Sequence, residues 1–117
     1  AYGCGVAPIA TALARVGLQI ELDRLVSALS RGQRHRVGIA RALLFAPKVL
    51  VLDEPDAWLD ADGRATLVRV LREESVHRSV IVISHRDDLR AVAATHMVIE
   101  AGAIERVSDR EADQGRA

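Results

Sequence analysis

Two uninterrupted aliphatic runs, Val49-Leu50-Val51-Leu52 and Val80-Ile81-Val82-Ile83, constrain the fold of this chain more than any other feature. Each is only four residues long, and Pro47 and Pro55 bracket the first. Short continuous runs of this kind predict strands buried on both faces of a parallel sheet. Between them, Asp60 is placed to cap a helix that turns Leu67, Val70 and Leu71 to the core. After the second run, Leu89, Val92 and Ala93 predict another helix. Met97-Val98-Ile99 and Ala103-Ile104-Glu105 flank Gly102 and predict a hairpin.

The first part of the chain reads as helical. Pro8 suits a first helical position, and Ile9, Ala12, Leu13 and Val16 then share one face before Gly17 ends the helix. Leu22, Leu25, Val26 and Leu29 predict a second, short helix. Ser30 is a candidate N-cap for a third, from about Gly32 to Phe45, closed by Pro47. Its buried face is expected to hold Val37, Ala40, Leu43 and Leu44, with Arg34, His35 and Arg41 elsewhere on its surface. Helices first, then alternating strand and helix, give an α/β class with a mostly parallel sheet. The expected divisions are a helical part over residues 1–46, an α/β core over 47–107 and a polar tail over 108–117.

Composition narrows the partners. The 117 residues carry 16 basic and 16 acidic side chains, so no net field favours nucleic acid or an anionic membrane. Tyr2, Phe45 and Trp58 are the only aromatic residues, too few for a single-strand stacking platform. Cys4 is the only cysteine, which fits a reducing compartment. No apolar run approaches the ~20 residues that span a bilayer. The first residue is Ala1 and no strand precedes Tyr2-Gly3-Cys4-Gly5, so the N-terminus is expected to be a cut.

Chemistry concentrates at three places. Asp53 and Glu54 follow the first aliphatic run, at a strand's carboxyl end, where open α/β sheets bind ligands. One carboxylate there can hold Mg²⁺, directly or through water, and the next can orient or deprotonate an attacking water. The alternative is a turn cap and a solvated surface acid. Twenty residues earlier, Leu29-Ser30-Arg31-Gly32-Gln33 puts a hydroxyl, backbone N–H groups and a cation at a helix start, suited to an anion or to simple capping. His85 follows the second run and can touch a phosphate or water there, or serve as a loop histidine. His35, His77 and His96 show no metal-ligand spacing.

In this order and spacing the signals resemble the ATP-binding cassette (ABC) family, whose motifs run LSGGQ, apolar-DE, LD and H. The chain shows Leu29 to Gln33, Arg36, Ala40-Arg41-Ala42-Leu43, Val49 to Pro55, Leu59-Asp60 and Ile83-Ser84-His85, so the resemblance covers roughly residues 1–106. It implies a partial P-loop NTPase core with a mostly parallel sheet, preceded by part of the helical signature subdomain. Ser30, Arg31, Gly32 and Gln33 would then meet ATP held by a second ABC ATPase domain, and Asp53 would hold Mg²⁺. Glu54 would be the catalytic carboxylate, Asp60 an interface residue of the dimer, and His85 a partner of the γ-phosphate. A transmembrane transporter domain on the cytoplasmic side of a membrane is the other implied partner, and nucleic acid is not one.

The chain departs from the family pattern at two places. Arg31 stands at the second glycine of the signature, and Asp56-Ala57-Trp58 stands where many members have Thr-Ser-Ala. The Gly-x-x-x-x-Gly-Lys-Ser/Thr phosphate loop does not occur in these 117 residues, whose only lysine is Lys48. The isolated chain is therefore expected to lack ATPase activity. Tyr2-Gly3 and Ser84-His85-Arg86 resemble exporter-type half-transporters, and importer subunits more often place Thr-His-Asp at the latter position. A different reading makes the chain a truncated, non-catalytic piece that only binds a partner or has no function.

Overall fold

The computed structural model describes residues 6–21, 23 and 25–110. They fall into two compact units that divide between Ser84 and His85. The sequence boundary at 46/47 lies inside the first unit and that at 107/108 inside the second.

The first unit begins with helix α1, Val6–Arg15. Its stripe Ala12, Leu13 and Val16 is buried, and the chain leaves it through Gly17 at φ +77°. The expected second helix is only a 3-10 turn over Val26–Ala28; Leu22 lies outside the described residues. Helix α2, Arg31–Leu44, is capped by Ser30 as its sequence predicts. Its buried residues are Ile39, Ala40 and Leu43, whereas Val37 and Leu44 are half-buried. The buried stripe is thus rotated slightly from the expected one and packs against α1.

Strand β1, Val49–Asp53, pairs in parallel with β2, Ser79–Ile83, in the register Val49↔Ser79 to Asp53↔Ile83. Helix α3, Ala61–His77, makes the crossover between them. Asp60 caps it through a 2.7 Å hydrogen bond from the Gly63 N–H, and Leu67, Val70 and Leu71 are buried as expected.

The strands are not buried on both faces. Leu50 and Leu52 point into the core, while Val49 and Val51 are 51% and 58% exposed. On β2, Ile81 and Ile83 are exposed by a similar amount. The cause is the strand period of two. The described helices cover one face of this two-stranded sheet, and the alternate residues have nothing against them. An aliphatic run without polar alternation encodes two buried faces, so the open face is apolar surface that the described residues leave uncovered.

One ion network ties α1, α3 and the approach to β1 together. Glu74, 5% exposed on α3, accepts from Arg15 at 2.6 Å and from the Arg78 Nε. Arg78 also donates to the Pro47 carbonyl oxygen at 2.5 Å. Arg15 reaches Glu73 at 3.2 Å, and Glu73 takes Arg69 at 2.9 Å one turn away.

In the second unit, α4 is a single turn, Asp87–Arg90, that buries Leu89; Val92 and Ala93 lie beyond it. Strands β3, Thr95–Glu100, and β4, Ala103–Asp109, form the expected antiparallel hairpin. Its turn uses Ala101 and Gly102, both at positive φ, as a tight hairpin requires.

The Glu74 network generates a pH prediction. Burial pushes the Glu74 carboxyl up, but hydrogen bonds and charge from Arg15 and Arg78 outweigh it and hold the group below its ordinary value of 4.5. A depressed carboxylate stabilises the fold fully above that ordinary value and loses its contribution as pH falls through the lower, folded one. Thermal melts from pH 7 to pH 2 should therefore show Glu74→Gln losing less stability below pH ~4.5 than the parent does. At pH 7, Glu74→Ala should cost about 3 kcal/mol, because it takes the shared carboxylate from both Arg15 and the largely buried Arg78. Identical acid slopes in parent and Glu74→Gln would show that the network does not contribute.

Candidate functional site

The predicted site residues of the first unit lie on or beside the loop that leaves β1. Asp53 ends the strand and Glu54 follows it, both exposed. The Glu54 N–H donates to the Ile83 carbonyl oxygen at 2.7 Å, extending the β1–β2 ladder one residue past the strand. Glu54 then turns into the left-handed region at φ +47°. That conformation costs an L-residue roughly 1–2 kcal/mol, so the surroundings must hold it.

The loop is held from several sides. Ala57 N–H returns to the Glu54 carbonyl oxygen at 3.1 Å and Leu59 N–H to that of Asp56 at 3.4 Å. Pro55 is fully buried. Asp56, 5% exposed, accepts from the Ser84 hydroxyl, which lies 3.2 Å from each carboxylate oxygen. The carboxyl ends of β1 and β2 are thereby joined by side chains as well as backbone.

Helix α2 approaches the same loop with its first turns. Ser30 and Gln33 form a reciprocal capping box. The Gln33 N–H donates to the Ser30 Oγ at 3.1 Å, and the Ser30 N–H donates to the Gln33 Oε1 at 2.9 Å. Gly32 faces the Trp58 carbonyl oxygen so closely that a Cβ there would lie 3.0 Å from it. This is the physical reason for glycine at that position. Arg31 lays its guanidinium 5.0 Å from the centre of the Trp58 ring. The two departures from the family pattern, Arg31 and Trp58, therefore meet each other. Trp58 is 63% exposed and sits at φ +63°, an unusual conformation for a bulky residue.

Further along α2, the His35 Nε2 lies 2.9 Å from the Pro55 carbonyl oxygen. Arg36 approaches Asp60 at 3.7 Å and the Gly17 carbonyl oxygen at 3.4 Å. Asp60 itself is the α3 cap and is 76% exposed at its side chain. Gly63 beside it leaves room for these groups: a Cβ there would lie 3.0 Å from the Asp60 carboxylate and 3.2 Å from the Leu59 side chain, and the Arg36 guanidinium would have to move aside.

Ser30, Arg31, Gly32, Gln33, Asp53, Glu54 and Asp60 thus all belong to the first unit. His85 opens the second unit, exposed, in the bend between β2 and α4. Sequence reasoning missed His35, placed on the helix surface, and the buried Asp56. Their partners are 20 and 28 residues away, and no local pattern announces such a contact.

A family model described as ABC transporter matches residues 6–57. The methionine import ATP-binding protein of Rhodococcus jostii is 42% identical over 101 residues, which are 84% of this chain and 30% of that protein. The chain belongs to the ABC transporter ATP-binding family. A zinc import ATP-binding protein from Marinobacter nauticus is 46% identical over 101 residues, 83% of this chain and 38% of its own length. The dimeric structure of a bacterial ABC transporter cassette superposes with a TM-score of 0.84 at 23% identity, over 93% of this chain and 50% of the cassette. That likeness establishes the fold. The ABC chain described here therefore spans about a third of these curated relatives and half of the solved cassette.

These relatives are named as import proteins, so the exporter-type expectation finds no support. Of its two motifs, Tyr2-Gly3 lies outside the described residues. The other, Ser84-His85-Arg86, is three residues at a strand end, and Ser84 is occupied in holding Asp56.

The contact between Arg31 and Trp58 predicts that the two residues depend on each other. A double-mutant cycle of Arg31→Gly and Trp58→Ala, read by denaturant unfolding, should give a coupling of about 0.5–1 kcal/mol, the range for exposed cation–π pairs. Strict additivity would mean that the pair merely adjoins.

Proposed function

We propose that this chain is the C-terminal part of an ATP-binding and ATP-hydrolysing subunit or domain of an ABC transporter, which couples hydrolysis to transport across a membrane. The observation that carries this reading is the strand-end pair Asp53-Glu54, set on a loop onto which the capped helix α2 is docked. The uncovered apolar face of β1 and β2 supports its belonging to a larger cassette.

Glu54 would polarise the attacking water. It follows a rigid strand end, and its backbone is fixed on both sides by Ile83 and Ala57. Asp53 would hold Mg²⁺. Among the described residues no group of three His, Cys, Asp or Glu side chains could hold a metal, and a single carboxylate suits Mg²⁺, which takes its other oxygens from water and substrate phosphates. Bound there, the ion would neutralise charge on the transferring phosphoryl group.

The α2 end would meet ATP held by a second ATPase domain. Ser30 already accepts one hydrogen bond from Gln33, so its hydroxyl proton is directed elsewhere, and Arg31 adds charge at the helix start. Asp60 would lie at the interface of that dimer and His85 would reach the γ-phosphate. The solved cassette that shares this fold is dimeric, and another solved form is bound to ADP and phosphate. The relatives named for import support a transmembrane partner and a cytoplasmic, membrane-associated location. No described helix is long and apolar enough to cross a membrane.

In a complete cassette carrying this chain, Glu54→Gln should lower steady-state hydrolysis by ~10²–10⁴-fold, the usual loss for a general base, while ATP binding is kept. Asp53→Asn should instead raise the Mg²⁺ concentration needed for tight binding. Phosphate release and ATP titrations separate the two. Wild-type turnover in Glu54→Gln would remove Glu54 from the chemistry.

A further inference from the structure

His35 has no place in the signature, in the strand-end pair or in any metal-ligand pattern, yet it makes the connection between them. Its half-buried ring places Nε2 2.9 Å from the Pro55 carbonyl oxygen, so the tautomer protonated at Nε2 donates to it. Pro55 is fully buried and immediately follows Glu54. Its ring fixes its own φ and restricts the backbone of the residue before it. Glu54 therefore holds its left-handed φ of +47° against a neighbour that resists helical backbone.

The peptide groups around Glu54 are tied down in turn. The Glu54 N–H is held by Ile83 and its carbonyl oxygen by Ala57. The next carbonyl, that of Pro55, is held by His35. The first two restraints come from β2 and from the loop itself. The third comes from the second turn of α2, two residues beyond Gln33. Gly32 lets α2 lie close to the Trp58 carbonyl oxygen at the far end of the same loop, where a Cβ would come within 3.0 Å of it. The first turns of α2 thus grip the loop at two points, one of them directly beside Glu54.

We propose that His35 is a positioning residue: by donating to the Pro55 carbonyl oxygen it fixes the backbone from which Glu54 projects, and makes that backbone follow the position of the α2 N-terminus. A displacement of the helix end that carries Ser30 to Gln33 is passed to the water-polarising carboxylate through one hydrogen bond. This rests on the reading of Glu54 given above.

The test uses a complete cassette carrying this chain and compares His35→Gln, whose amide can donate to the same carbonyl, with His35→Leu and His35→Phe, which cannot donate. ATP affinity, kcat and melting temperature are measured for each, with Glu54→Gln as reference. The donor-less variants should lose ~10- to ~100-fold in kcat, the scale of a small misplacement of a catalytic group, with ATP affinity unchanged. His35→Gln should recover most of kcat. Equal kcat in all variants, or equal losses in His35→Gln and His35→Leu, would overturn the proposal. If neither donor-less variant folds, the contact is structural and the proposal also falls. If Glu54→Gln itself turns over normally, the reading of Glu54 fails and this proposal with it, an outcome distinct from a silent His35.

Discussion

Parallel pairing of β1 with β2 brings two strand carboxyl ends to one edge of the sheet, and the geometry of the loop depends on that edge. The ladder does not stop at Asp53. It continues through the Glu54 N–H to Ile83, and the Ser84 hydroxyl extends it sideways to Asp56. The chain can leave the sheet in a left-handed turn only because both strands anchor the departure. The pairing is secured by Leu50 and Leu52 in the core and by α3, whose Val70 is 1% exposed. Burial of one full aliphatic side chain is worth roughly 1.5–3 kcal/mol, so these few leucines and valines outweigh the strain stored at Glu54 and Trp58.

The same loop is also the seat of α2, and close approach of backbones makes this possible. Gly32 lets the helix end come against the Trp58 carbonyl oxygen, and Gly63 lets the Arg36 guanidinium pass over the start of α3. Two residues at which the chain departs from the family pattern, Arg31 and Trp58, are in contact. Arg31 adds a long cation at the helix start, and Trp58 gives it a ring to rest on. A loop tied to both β2 and α2 places the strand-end carboxylates and the signature residues in one mechanical unit.

Much of this was legible in the sequence. The capping roles of Ser30 and Asp60, the two short strands, their crossover helix and the Gly102 hairpin all follow from local rules, because each cap finds its partner three residues on and each strand and turn is marked by its own residues. The burial of the strands followed on one face only. Four consecutive aliphatic residues predict two covered faces, and one face of β1 and β2 is open among the described residues. The sequence encodes a cover that these residues do not supply. The contacts of His35 and Asp56 were illegible for another reason. Each bridges elements far apart in the chain, and each depends on a turn whose shape is decided by tertiary packing. The exporter-type expectation, drawn from two short stretches, finds no support among relatives named for import, and at one of those stretches Ser84 holds Asp56.

The loop carrying Glu54 is held by the fold's own backbone, to β2 on one side and to itself on the other. Hydrogen exchange at the Glu54 amide tests it without any ligand. That amide is bonded to the Ile83 carbonyl oxygen at 2.7 Å, so its exchange should be slowed together with the amides inside β1 and β2, opening only with the sheet itself. Exchange at the rate of an unstructured peptide, while the strand amides stay protected, would show the strand end free of the loop and would contradict the account.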